Sequence, residues 1–202
     1  MKILITAFEP FGGETVNAAQ KAVRALNLPG VELIKLDAVP VTFAQAGAMV
    51  TGAMAAHRPD AVLCVGQAEG RGAVTVERVA INVMDARIPD NAGFQPADQA
   101  ICPQGPAAYF STLPIKDIVA AMQGAGVPAQ VSNSAGTYVC NCLLYETLHA
   151  ARAMEPQPRV GFIHLPLLPG QAQSRAKPTP SLPLEDLTRA LEAAVKALSA
   201  DM

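Results

Sequence analysis

Cys140 stands in the stretch SNSAGTYVCNCLL (residues 132–144), and its setting is the first hint of chemistry in the chain. A short apolar strand, VPAQV (residues 127–131), runs into the small-residue turn SNSAG, and a helix is predicted to open near Thr137. Cys140 then falls in or close to the first helical turn, where unpaired backbone N–H groups and the helix dipole favour an anion. A thiolate would be stabilised there, and a strand–turn–helix junction is a recurrent way of presenting a cysteine nucleophile. The junction by itself is equally compatible with a buried cysteine that acts as a small hydrophobe.

A cysteine nucleophile needs a base within hydrogen-bond reach, and the chain offers three histidines. His57 closes a predicted helix ahead of Arg58-Pro59-Asp60, where a solvated capping role suits it. His149 follows Cys140 on one predicted helix but about 900° further round, near the opposite face. His164 ends the predicted strand GFIH and is the candidate base by elimination. The imidazole in turn needs an orienting acceptor. Glu77 sits in the otherwise apolar run TVERVAIN, where an unpaired carboxylate would be costly. A salt bridge to Arg78 or Arg87 would account for it equally well, and Glu77, Asp85 and Asp90 are not separated by sequence alone.

The elements that must carry these residues alternate between strand and helix. KILIT (residues 2–6), VELIKLDAV (31–39), DAVLCVG (60–66) and RVGFIHLP (159–166) read as strands. Asn17 is a plausible cap for the helix AAQKAVRAL, Thr42 for FAQAGAMVTGAMAAH, and Pro114 opens PIKDIVAAMQ. Residues 74–83 form an extended segment whose alternation slips near Arg78. DARIPDNAGFQPADQAICPQGP reads as one long irregular loop, a length usual for functional loops or lids. Residues 170–180 read as mobile, and LEDLTRALEAAVKALS closes the chain as an amphipathic helix. This alternation predicts a single α/β domain spanning 1–202, with a twisted, largely parallel sheet and helices on both faces. In such sheets sites lie at the carboxyl ends of strands. The loops at 7–17, 66–72 and 132–139 and the stretch after Phe162 each follow a predicted strand, so all four are expected at one edge.

The chain has 202 residues, enough to bury roughly 70% of its unfolded surface. Half of the residues are hydrophobic, 16% are charged, and the formal net charge is −2 with no basic run. That balance argues against nucleic acid and anionic membrane surfaces as partners. The segment after Met1, KILITAF, is too short for a secretory leader, so the four cysteines are expected to be reduced thiols in the cytoplasm. Cys140 and Cys142 diverge by about 200° on a helix, and Cys64 and Cys102 lack a metal-ligand spacing, so no metal is expected. Nucleophile-elbow, phosphate-loop and zinc-protease motifs are missing.

AFEPFGGETVN, GQAEGR, ERVAINVMDARIPDN, GPAAYFSTLPIK, SNSAGTYVCN and GFIHLPLLPGQ, in that order, resemble the pyroglutamyl peptidase I (pyrrolidone-carboxylate peptidase) family of cysteine exopeptidases. The resemblance runs from about Lys2 to Gln171. It implies an α/β/α sandwich, removal of N-terminal pyroglutamyl residues from peptides, no cofactor, a cytosolic setting and commonly a homotetramer. By the same resemblance Cys140 matches the nucleophile, His164 the base and Glu77 the orienting acid. Arg87 matches an arginine near the oxyanion site. Phe8 and Phe11 match aromatic pocket walls, Asn17 and Gln67 polar pocket positions, and Tyr138 and Val139 the residues before the nucleophile. The chain departs from the family at Tyr138, where phenylalanine is usual, and at Cys142, Ala18 and Glu69, where histidine, proline and glycine are common. None of these touches the three catalytic positions. Two other functions remain compatible: a different cysteine-nucleophile amidase, and a non-catalytic binding protein that retains the pocket.

Overall fold

The computed structural model describes residues 1–200. In chain order the first half contains β1 (Lys2–Phe8), α1 (Ala18–Ala25), β2 (Glu32–Val39), α2 (Ala46–His57), β3 (Ala61–Gln67), β4 (Val74–Glu77) and β5 (Val79–Ile81). The second half contains β6 (Ala108–Phe110), α3 (Ile115–Gly124), β7 (Ala129–Ser132), α4 (Val139–Ala151), β8 (Arg159–Leu165), α5 (Pro169–Gln173) and α6 (Leu184–Ala200). Six strands form one sheet in the order β2-β1-β3-β8-β4-β7, and β5 and β6 form a separate two-stranded ribbon.

Continuous apolar runs make the central strands, because each is covered on both faces. Alternate residues of β1, β3 and β8 point to opposite sides: Ile3, Ile5, Leu63, Val65, Ile163 and Leu165 pack with α1, α3 and α6. Leu4, Val62, Cys64, Val160 and Phe162 pack on the other side with α2 and α4. The result is the expected three-layer α/β arrangement. Among the described residues no helix is long and apolar enough to cross a membrane.

Four of the expectations are corrected. First, β4 runs antiparallel to β8, with Thr75 opposite His164, and β7 is parallel to β4. The carboxyl end of β7 therefore points away from the edge where β1, β3 and β8 end. The segment 133–138 has to double back to reach that edge, which the positive φ of Gly136 (81°) accommodates. Second, the slip near Arg78 is a complete break. The chain leaves the main sheet after Glu77, and β5 pairs with β6 (Val79 opposite Phe110), a short strand just beyond the predicted loop in a stretch that carries no predicted element. Third, Thr42 does not cap α2 with its side chain. The helix begins at Ala46, and the Phe43 N–H is instead taken by Asp90 Oδ2 at 2.9 Å. Fourth, the segment 170–180 is anchored at its start: Gln171 is buried in α5, and Arg175 pairs with Glu14 at 2.6 Å and Glu69 at 3.1 Å.

Candidate active site

Strand register brings the first pair together. Thr75 faces His164 across the antiparallel β4–β8 pair, so Glu77, two residues on, lies on the same face one diagonal step away. His164 Nδ1 and Glu77 Oε1 are 2.7 Å apart, with Glu77 fully buried and His164 4% exposed. An ionised carboxylate only accepts, so Nδ1 carries the hydrogen and Nε2 keeps its lone pair. Asp85 is exposed. Asp90 accepts from the N–H groups of Phe43, Ala92 and Phe94, each at 2.9 Å, and so organises its own loop. The ambiguity among the three carboxylates is thereby removed: only Glu77 meets the imidazole.

Glu77 has a second partner that the sequence did not disclose. Arg71, from the loop between β3 and β4, donates Nη1 to the same Glu77 Oε1 at 2.7 Å and also to Thr75 Oγ1. Neither suggested partner fits, since Arg78 donates to Asn133 Oδ1 at 2.8 Å and Arg87 is exposed. Burial would raise the Glu77 carboxyl, but hydrogen bonds, that with His164 first, and the Arg71 charge outweigh it and hold the group below the ordinary carboxylate range. His164 is shifted down from its ordinary value, chiefly by burial, against the opposing pull of Glu77.

Cys140 is the second residue of α4, whose N-terminal position Tyr138 contributes no side-chain cap. The first turn is held by Asn141, fully buried. Its Oδ1 accepts the Ile81 N–H at 2.9 Å, and its Nδ2 donates to Ile81 O at 2.8 Å and Val83 O at 3.1 Å. This bond set ties the turn that carries Cys140 to β5. Cys140 and His164 both line one cavity of about 570 Å³. The thiol is not a preformed thiolate. Burial, and then the Glu77 charge, push it up to about 12, while Arg71 and its own backbone N–H only partly oppose them. Desolvation thus outweighs the helix terminus at this sulfur.

The four expected segments converge on this cavity, contributing Phe11, Gln67, Tyr138 with the segment from Ser134 to Gly136, and His164 with Arg175, and the long loop adds Arg87. The Tyr138 hydroxyl donates to Pro89 O at 3.0 Å, and its ring meets Phe43 edge-on at 5.4 Å. Phe8 and Val139 are buried in the core and are not lining residues. Asn17 also stays outside the cavity, because capping α1 engages its amide. Its Oδ1 accepts from the Ala19 and Gln20 N–H groups, and its Nδ2 donates to Glu9 O at 3.1 Å. Gln67 differs: its Oε1 takes the Ala18 N–H at 2.7 Å and Gln171 Nε2 at 2.9 Å. With the oxygen so held, Nε2 is the part of this cavity-lining amide still able to donate to a ligand. Gln171 ends the block GFIHLPLLPGQ, and nothing local marks it as the residue that orients Gln67.

The other histidines lie elsewhere. His57 is exposed at the end of α2. His149 bonds the Tyr109 hydroxyl through Nδ1 at 2.7 Å, beside a separate cavity of about 400 Å³. Among the described residues no group of three or more His, Cys, Asp or Glu side chains is placed to hold a metal ion.

The model of the pyroglutamyl peptidase family matches residues 1–201. A pyrrolidone-carboxylate peptidase of Levilactobacillus brevis is 50% identical over 200 residues, covering 98% of this chain and 97% of its own. One from Thermococcus kodakarensis is 46% identical over 204 residues, covering 100% and 98%. Among solved structures, pyroglutamyl peptidase I of Bacillus amyloliquefaciens superposes with a TM-score of 0.93 at 45% identity, covering 98% of this chain and 97% of that one. A mutant pyrrolidone carboxyl peptidase of Pyrococcus furiosus gives 0.94 at 36% identity, with full coverage of both chains. With matches of this extent in both sequence and fold, the chain belongs to the pyroglutamyl peptidase family.

Proposed function

We propose that this chain is a cysteine exopeptidase that removes N-terminal pyroglutamyl residues from peptides, with Cys140 as nucleophile, His164 as base and Glu77 as orienting acid. The observation that carries the reading is the buried 2.7 Å contact between His164 Nδ1 and Glu77 Oε1, which leaves Nε2 unprotonated on a ring that shares its cavity with Cys140. Because the resting thiol is protonated, attack requires proton transfer from Sγ to His164 Nε2. The thiolate then adds to the carbonyl that follows the lactam. Backbone N–H groups at the start of α4 meet the oxyanion, and Arg87 adds positive charge. Collapse expels the peptide amine, which takes the proton from His164. Water, deprotonated by the same nitrogen, hydrolyses the thioester and releases pyroglutamate and free Cys140.

Phe11 and Tyr138 supply the apolar wall for the ring methylenes, each worth about 0.8 kcal/mol when buried. Gln67 Nε2 donates to the lactam carbonyl. Asn17 and Gln171 act one step removed, holding the loop and the amide that face the ring, while Phe8 and Val139 back the wall from the core. The setting is cytoplasmic and the working assembly a homotetramer, both carried over from the family resemblance. Hydrolysis of a pyroglutamyl fluorogenic amide beside ordinary aminoacyl amides, with and without a thiol alkylator, tests the reading. Turnover confined to the pyroglutamyl amide and abolished by alkylation is the expected result. Turnover of aminoacyl amides instead would identify a different amidase, and no turnover at all a binding protein.

A further inference from the structure

We propose that Arg71 is a positioning residue of this site: by sharing Glu77 Oε1 with His164 it fixes the carboxylate and offsets its charge, so that the imidazole stays a neutral base. The proposal rests on the assignment of Cys140, His164 and Glu77 made above. Its geometric basis is one acceptor oxygen with two donors, Arg71 Nη1 and His164 Nδ1, each at 2.7 Å. The guanidinium is itself pinned by Thr75, the residue opposite His164 in the β4–β8 register. Arg71 thus joins the loop that precedes β4 to the strand that carries the acid, and both to the strand that carries the base.

The consequence is electrostatic. A lone buried carboxylate beside an imidazole favours imidazolium, which cannot accept the thiol proton. A guanidinium on the same oxygen opposes that. The charged and titratable groups facing His164 are few. Glu77 comes from β4, Arg71 from the preceding loop, Cys64 from β3 and Cys140 from α4, and burial pushes each thiol up to about 12, so neither thiol contributes charge. Further out along the cavity, Arg175 is paired with both Glu14 and Glu69, and Arg87 stands exposed. Arg71 is therefore the cation in direct contact with the His164–Glu77 pair. The Arg71 side chain is 26% exposed, so replacing it does not empty the core.

The test compares Arg71→Gln and Arg71→Lys with the parent enzyme. In Arg71→Gln the imidazolium is favoured, so the acid limb of kcat/KM on a pyroglutamyl amide moves up by about one pH unit. The His164 ring signal, followed by NMR in a Cys140→Ser background that needs no activity, moves its midpoint in the same direction. In Arg71→Lys the charge remains but the fork geometry is lost. There kcat falls about ten-fold or more, KM stays within about two-fold and the acid limb holds. Identical His164 midpoints in the parent and Arg71→Gln backgrounds overturn the proposal, and so does a parental kcat in Arg71→Lys. If circular dichroism shows that Arg71→Gln has lost its fold, the Arg71→Lys kinetics decide alone. A parent that fails to hydrolyse pyroglutamyl amides defeats the functional reading, while the NMR comparison still judges Arg71.

Discussion

At the scale of single residues the site is a neutral pair awaiting substrate. Burial raises the Cys140 thiol and lowers His164, so both groups are uncharged at rest and proton transfer accompanies attack. Cys140→Ser is expected to lose several powers of ten in kcat, since a serine hydroxyl is far harder to deprotonate there. His164→Ala removes both the base and the acid for the leaving amine and falls as far. Glu77→Gln keeps the shape but not the charge, and loses about a thousand-fold to ten-thousand-fold. Steady-state kinetics on a pyroglutamyl amide check all three, and near-parental rates in His164→Ala would reject the scheme. On the proposed reading, Gln67 sets the specificity. A prolyl amide has the ring but no lactam carbonyl, so it leaves Gln67 Nε2 without an acceptor. The parent is expected to prefer pyroglutamyl over prolyl amides by about a hundred-fold or more in kcat/KM, and Gln67→Ala to shrink that ratio. Equal kcat/KM values for the two amides in the parent would reject the pocket.

At the scale of elements, catalysis depends on where β4 stops. The antiparallel β4–β8 pair sets Glu77 diagonal to His164, and the break at Arg78 sends β5 out of the sheet to meet α4. Asn141 closes that junction with three hydrogen bonds to Ile81 and Val83. Asn141→Ala removes the side-chain partner of the half-buried Ile81 N–H and Val83 O, at and just past the end of β5, and is expected to cost about 1–3 kcal/mol of stability. The first turn of α4 loses its anchor as well, so kcat should fall with little change in KM. Urea unfolding and kinetics on the same preparation check both effects, and an unchanged midpoint would show that water replaces the amide. Gly66 illustrates the same economy of space on β3: a Cβ there would lie 2.8 Å from the Phe162 ring and 3.2 Å from His164 Cδ2. The His164 ring is thus packed against a position with no room for a side chain.

At the scale of the whole molecule the two apolar layers form the scaffold, and the chemistry sits where strands of both directions meet in a mostly parallel sheet. Among the described residues, four large apolar side chains remain open to solvent: Met49 at 41%, Ile88 at 50%, Phe94 at 46% and Phe110 at 70%. The expected assembly is a homotetramer whose contacts come from apolar loops rather than charged faces. Multi-angle light scattering at micromolar concentration checks it, and a mass near the 21.0 kDa of one chain would reject it.

What the sequence by itself determined is what local physics controls. Uninterrupted apolar runs became the buried central strands, Asn17 capped α1, and Cys140 fell in the first turn of a helix after a small-residue turn. The six motif blocks, read together, also carried the family. The tertiary structure decided everything that depends on partners distant in the chain. Short strands such as Val74–Glu77 carry no mark of their direction, so the reversal of β4 and β7 was not legible. Arg71 lies six residues before Glu77, and only the antiparallel register, with the turn that precedes it, brings the guanidinium and His164 onto one oxygen. Gln171 reaches Gln67 across 104 positions, and Asn141 reaches Ile81 across 60. The thiol is the clearest case. The helix terminus is a local feature and argued for a thiolate, whereas burial is a property of the whole fold. Desolvation of the sulfur exceeds the pull of a single turn of N–H groups, so the fold rather than the motif sets the resting protonation state.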